Sequence, residues 1–255
     1  MKFNRRKFLS LTAVALVTDV LSPFSLATAG RSGSRPFKAV IFDAFPIFDP
    51  RPVVILAEEL FPGRGQALSD LWRTRQFEYT WLRTLSGRYA DFEHATRDAL
   101  TYAAHAMKLT LDPAVRERLV HAYFQLKAWP DVLPAISALR NAGIRLGFLS
   151  NLTRGMLESG IQNSDLGGFF EHVLSTDLAQ AFKPDPRAYQ LGVDAFRLER
   201  SEIVFAAFAG WDAAGAKAFG YPTFWVNRQN APAEELDAPA DGAGGIADLV
   251  NFVLG

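Results

Sequence analysis

An α/β fold, built on a doubly wound and mostly parallel sheet with an inserted helical cap, is what this sequence predicts. Three observations carry the prediction. Short apolar segments alternate with helical-period stretches over the second half of the chain, the pattern of βαβ units. One block, residues 51–128, breaks that alternation with helix after helix and no strand candidate. Apolar residues make up 49% of the 255 positions, enough for a full core in one large domain, or one domain with an insertion.

Taken in order, the chain opens on a segment that reads as an address. Residues 4–10 (NRRKFLS) put paired arginines before an apolar run at 8–17, and SLATAG (25–30) supplies small residues, with Ala27-Thr28-Ala29 as a cleavage box. Arg5-Arg6 ahead of Phe8-Leu9 resembles a twin-arginine signal, which exports folded proteins, so the expected destination is the periplasm. The run is about half the ~20 residues that a membrane span requires. Removal of residues 1–29 leaves 23 basic and 26 acidic residues, a net charge of −3, and no stable membrane insertion is expected.

FKAVIFD (37–43) is the first strand. The cap then takes 51–128 as four helical stretches, VVILAEELF, QALSDLWRTRQFEYTWLRTL, DFEHATRDALTYAAHAM and DPAVRERLVHAYFQL. The linkers are read at 50–52 and 127–130, which leaves 36–50 and 129–255 to the α/β core. There IRLGFLSN (144–151), HVLSTD (172–177), EIVFAAF (202–208) and PTFWVN (222–227) read as strands. DVLPAISALRNAG (131–143), PDPRAYQLGVDAF (184–196) and WDAAGAKAFG (211–220) read as helices. Residues 229–244, rich in Ala, Pro, Gly and acids, read as a surface loop before a last helix, IADLVNFVL.

Composition excludes several functions. The absence of cysteine removes disulfides, thiolate metal sites and a cysteine nucleophile. Balanced charge, with no basic run beyond the N-terminus, argues against nucleic acid. His94, His105, His121 and His172 show no ligand spacing. No P-loop, serine-hydrolase elbow or dinucleotide fingerprint occurs, and GRGQAL (63–68) lacks both the third glycine and the preceding strand.

In an open parallel sheet, chemistry collects at the carboxyl ends of the strands. Asp43, the pair Ser150-Asn151, Lys183 and Asp212 all fall there, a set suited to covalent catalysis by a carboxylate. Position 45, where a phosphate-handling site would add a second acid, is Phe45, and Asp212 has no adjacent acid to help hold magnesium. Phosphatase chemistry and metal binding are therefore both disfavoured, and no cofactor is expected. Each residue also has a plainer reading. Asp43 and Ser150-Asn151 can cap helices, Arg73 can be a solvated face residue, and Trp211, Phe92 and Tyr79 can be packing.

FDAFPIFD, LWRTRQFEYTWLR, FLSN, FKPDPRAY and WDAAGAKAFG, in this order and spacing, resemble the haloacid dehalogenase superfamily from about residue 37 to 254. The likeness is closest to its (S)-2-haloacid dehalogenase branch, with LWRTRQFEYTWLR as the discriminating stretch. What the resemblance implies is a metal-free hydrolase of small halogenated carboxylic acids that inverts C2. Asp43 is then the nucleophile and Arg73 the cap residue that receives the halide. Ser150 binds the substrate carboxylate. Lys183 holds the Asp43 carboxylate, with Asp212 orienting Lys183 and activating water. Asn151, Tyr189 and Trp211 fall on pocket positions, with Phe45 as a further substrate contact, and a homodimer is expected from the resemblance alone.

The match has gaps. The turn after Asp43 is one residue short and carries Pro46-Ile47 in place of the family's glycine and threonine. Ala207 and Ala209 replace a serine and an asparagine. A relative acting on another small acid or a phosphate ester, or a binding protein that has lost turnover, therefore stays open at this point.

Overall fold

The computed structural model describes residues 37–236 and 238–255; the export segment read at 1–29 lies outside them. β1 (Ala39–Phe42) is a run of apolar residues buried on both faces, as a central strand of a parallel sheet must be. A single helical turn, α1 (Ala44–Ile47), follows at once, and β2 (Phe48–Asp49) leads out of the core.

The cap comprises α2 (Arg51–Leu60), α3 (Gly65–Leu85), α4 (Phe92–Ala106), α5 (Pro113–His121) and a 3₁₀ turn at Ala122–Phe124. Asp91 and Asp112 cap α4 and α5 through their side chains. Trp72 on α3 donates its indole N–H to the Thr96 carbonyl at 2.8 Å, and Gln76 donates to the Thr96 hydroxyl at 2.6 Å. These bonds satisfy the buried polar groups of Trp72, Gln76 and Thr96.

The linkers are not loops. The chain returns through β3 (Lys127–Ala128), which pairs antiparallel with β2, so both crossings between core and cap run through one two-stranded ribbon. Trp129 N–H donates to the Ile47 carbonyl at 3.0 Å and continues that pairing. A strand of two residues is too short to show a period of two, so the sequence pattern missed it.

Beyond the ribbon the alternation is as read, with α7 as one further helix: α6 (Val132–Asn141), β4 (Arg145–Ser150), α7 (Arg154–Asn163), β5 (His172–Ser175), α8 (Pro186–Phe196), β6 (Ile203–Ala207), α9 (Gly210–Phe219) and β7 (Thr223–Val226). The segment read as a loop at 229–244 ends in a further strand, β8 (Gly242–Gly244), ahead of α10 (Ile246–Leu254). Gly-Ala-Gly has no strand propensity of its own; parallel pairing with β7 imposes the conformation.

The six-stranded sheet has the order β5-β4-β1-β6-β7-β8, and its paired strands are all parallel. From β1 the chain builds outward first through β4 and β5, then crosses to β6. Reversal of direction beside β1 opens a crevice at the carboxyl ends of β1, β4 and β6. Asp43 enters it directly, its N–H donating to the Ala206 carbonyl at 3.0 Å.

One apolar core covers α6, α7, α10 and the cap interior without a break, and a second lies under α8 and α9. Two further contacts seat the cap: Tyr89 donates its hydroxyl to Asp177, and the Thr84 hydroxyl accepts from Phe182 N–H at 3.0 Å.

Phe48, in the ribbon, is fully buried and stacks on Phe148 at 5.3 Å. Gly160 of α7 lies so near that a Cβ there would come within 2.7 Å of the Phe48 ring. Phe48→Ala should therefore cost about 3–5 kcal/mol, as large core truncations do. Urea unfolding measures it, and a loss below about 1 kcal/mol would contradict the packing described.

Candidate active site

Four chain segments meet at the crevice, delivering Asp43 after β1, Ser150 and Asn151 at the end of β4, Lys183 from the loop beyond β5 and Asp212 from the first turn of α9. Asp43 is the N-cap of α1; its Oδ2 accepts only a long bond, 3.4 Å, from Phe45 N–H. Its Oδ1 is held twice, by the Lys183 ammonium at 2.9 Å and by the Ser150 hydroxyl at 3.0 Å. Lys183 Nζ also donates to Asp212 Oδ2 at 2.6 Å, and lies 5.0 Å from the centre of the Phe205 ring. A fully buried ammonium thus bridges two carboxylates, both supplied from strand ends flanking β1 or from β1 itself.

Supporting bonds fix that ammonium in place. Lys183 N–H donates to Asn151 Oδ1 at 3.0 Å, and the Thr176 hydroxyl donates to the same oxygen at 3.3 Å. Asn151 Nδ2 is buried and has no partner. Tyr189 donates its hydroxyl to Asp212 Oδ1 at 2.7 Å, and its carbonyl accepts from the Tyr221 hydroxyl at 2.7 Å.

These contacts set the protonation states. Burial opposes the charge on Lys183, but Asp212 and then Asp43 outweigh it and hold the ammonium above the ordinary lysine value. Burial pushes Asp212 up to about 6, with Lys183 pulling it back and Asp43 adding to the rise. Tyr189 is raised well above a normal phenol, first by burial and then by the Asp212 charge, so it stays a donor.

Over this polar floor lies an apolar roof. Phe77 and Phe92 from the cap, with Phe45, Phe208 and Trp211 from the core, close a cavity of about 20 Å³ that also touches Ala209. That volume suits roughly one water.

The structure thus gathers Asp43, Phe45, Ser150, Asn151, Lys183, Trp211 and Asp212, and separates the rest. Tyr189 does not line the cavity; it acts on it through Asp212. Ser150 lines the cavity with its hydroxyl on Asp43 Oδ1, and an unpartnered donor beside it is Asn151 Nδ2. Arg73 is exposed on α3, with its guanidinium 5.8 Å from the Phe77 ring and 6.0 Å from the Phe208 ring. It lines a neighbouring crevice of about 380 Å³ and not the cavity beside Asp43, and those two rings line both spaces.

Of the two alanines, Ala209 borders the cavity, whereas Ala207 is packed in the core under α8 and α9. Sequence reasoning took Phe92 for packing and passed over Phe77 and Phe208. All three line the cavity, and their spacing on helix or strand end carried no polar signal to mark them.

Comparison with known proteins places this geometry. A family model for haloacid dehalogenase-like hydrolases matches residues 37–220. Over 221 residues the chain is 42% identical to haloacetate dehalogenase H-2 of Moraxella sp. (strain B), covering 86% of this chain and 99% of that protein. It is 38% identical over 222 residues to an (S)-2-haloacid dehalogenase of Pseudomonas putida, covering 86% and 98%. Among solved structures, the L-2-haloacid dehalogenase from Xanthobacter autotrophicus with chloropropionic acid covalently bound matches with a TM-score of 0.78 and 32% identity, over 86% of this chain and 99% of that one.

Because its value in the fold lies above that of an unfolded aspartate, Asp212 binds its proton more tightly when folded. Its contribution to stability is then full at acid pH and lost as pH rises through about 6. Isotope-edited infrared titration should show a carboxyl band of Asp212 disappearing near pH 6. Tyr189→Phe, which removes a bond to the ionised form, should move that midpoint upward. A midpoint near the ordinary aspartate value in both proteins would contradict this account.

Proposed function

Because the chain belongs to the haloacid dehalogenase-like hydrolases, we propose that it hydrolyses the carbon–halogen bond of small (S)-2-haloalkanoic acids through an ester on Asp43. The observation that carries this reading is the division of labour within one carboxylate. Oδ1 is tied to Lys183 and Ser150, while Oδ2 keeps only the long contact from Phe45 N–H.

Oδ2 attacks C2 in line and expels halide with inversion, forming an ester to the Asp43 carboxyl carbon. The unpaired Asn151 Nδ2 is the donor available to the substrate carboxylate. Arg73 turns inward past Phe77 and Phe208 to meet the halide, since a guanidinium is the cation that the cap offers at this rim. In the second step water adds to the Asp43 carboxyl carbon, and negative charge develops on Oδ1. The Lys183 and Ser150 donors already stand 2.9 and 3.0 Å from that atom, so they form a ready oxyanion site. Asp212, ionised above about pH 6, borders the cavity and accepts the proton of the water. Collapse breaks the bond from the carboxyl carbon to Oδ2; the departing 2-hydroxy acid alkoxide takes the proton that Asp212 accepted, and the regenerated Asp43 carboxyl loses its own to solvent. Export through residues 1–29 to the periplasm and assembly as a homodimer belong to the same proposal; mass spectrometry showing Gly30 as first residue, and the solution mass, test them.

The second step is the slow one on this reading. Ala209 borders the cavity where a polar side chain could hold the water, and loss of one positioned donor typically costs ~10²–10³ in rate. Rapid mixing with 2-chloropropionate should give a halide burst near one equivalent, then slow turnover, with an adduct on Asp43 by intact mass. In oxygen-18 water a single turnover should place the label in Asp43. Ala209→Asn should speed the slow phase, and Asp43→Asn should remove the burst. A linear time course without adduct would sink the covalent scheme.

Chemistry of this kind neutralises no phosphate charge, and Lys183 already occupies the space between the two facing carboxylates. Activity should therefore survive exhaustive chelation unchanged. Loss with chelator and recovery with magnesium would favour the phosphate-ester alternative.

A further inference from the structure

Beside the reaction cavity, toward α9, lies a space of a different kind. A groove of about 710 Å³ runs between the C-terminal half of α3 and the exposed side of α9, walled by Trp81, Leu85, Phe182, Pro184, Trp211 and Leu236. Among its described lining residues Asp185 alone carries charge, and it is already paired with Arg187 at 2.8 Å. The crevice around Arg73, by contrast, is bordered by Asp70, Arg228 and Glu234. Of the two spaces next to the cavity, one is thus charged and the other almost wholly apolar.

The two spaces share one wall. Trp211 borders both the cavity beside Asp43 and the apolar groove. Its ring meets Phe77 at 5.3 Å and Trp81 at 5.5 Å, edge-on to each. The Trp81 indole N–H is buried without a partner, so ring packing holds this side chain in place of a directional bond. The cavity beside Asp43, at about 20 Å³, holds about one water, so any haloacid enters as its aromatic walls move, and an extended substituent needs space beyond it.

We infer that the groove is a tail subsite. 2-Haloacids with an extended alkyl or aryl substituent on C2 lay that substituent against Trp81, Leu85 and Leu236, with Trp211 as the partition that turns aside to admit it. This rests on the dehalogenase reading and extends it to a substrate class.

The test compares (S)-2-bromopropionate with (S)-2-bromooctanoate by halide release, in the wild-type enzyme and two rim variants. Ala218 is exposed on α9 at the groove, and Leu236 is 52% exposed at its edge, so neither substitution disturbs the core. Ala218→Trp fills the groove, and Leu236→Lys charges it. In the wild type 2-bromooctanoate should be turned over with the lower KM. Each variant should raise that KM by roughly tenfold or more, since even one methylene in an apolar pocket carries such a factor. The propionate values should stay within about twofold, as for surface changes away from the reaction. No turnover of 2-bromooctanoate by the wild type, or indifference of its KM to both variants while propionate is still hydrolysed, would overturn the tail subsite alone. No halide from 2-bromopropionate would overturn the dehalogenase reading and the subsite with it.

Discussion

One buried ammonium decides how this site is built. Lys183 is withdrawn from water at 1% exposure, and an isolated charge there would be prohibitive. Asp43 after β1, Asp212 after β6 and the ring face of Phe205 within β6 make it tolerable, while the Lys183 backbone is fixed by its N–H bond to Asn151. The requirement runs in both directions. Without Lys183, Asp43 and Asp212 would be like charges sharing a site, and one would be driven to its neutral form. The contact has a cost as well, since an oxygen that accepts from an ammonium is a poorer nucleophile. Confining that contact to Oδ1 spares Oδ2, and the same contact then makes the ester more electrophilic.

Ser150 touches the triad directly, and behind it further bonds act one step removed. Asn151 aligns the Lys183 backbone, Thr176 aligns Asn151, Tyr189 anchors Asp212, and Tyr221 anchors Tyr189. The aromatic roof keeps these bonds in a medium where they are strong. Its members come from both cap and core, so the low dielectric around the reacting atoms exists only while the two are packed together.

How much of this could be read from the chain follows from the range of each signal. Strands such as Ile203–Ala207 and helices such as Gly65–Leu85 announce themselves through period and burial, and so Asp43, Lys183 and Asp212 could be placed at strand ends before any coordinates. Short or tertiary features could not. Gly242–Gly244 becomes a strand only because β7 offers it partners. Ser150 stood in the right place, but its bond to Asp43 joins residues 107 positions apart, a pairing no local pattern encodes. Arg73 was marked by its motif, whereas its place beside the Phe77 and Phe208 rings joins residues from cap and core, which no local pattern encodes.

The two-stranded ribbon of Phe48–Asp49 and Lys127–Ala128 has a consequence for the architecture as a module. Entry and exit of the cap lie side by side, and the Trp129 to Ile47 bond clasps them just inside the core. A segment whose two ends already touch adds little loop-closure entropy to its host, whatever its length. The core can therefore carry inserts of very different size and shape without revising its sheet. In such a chassis the chemistry of bond breaking stays with the strands, and the choice of molecule is delegated to an exchangeable lid.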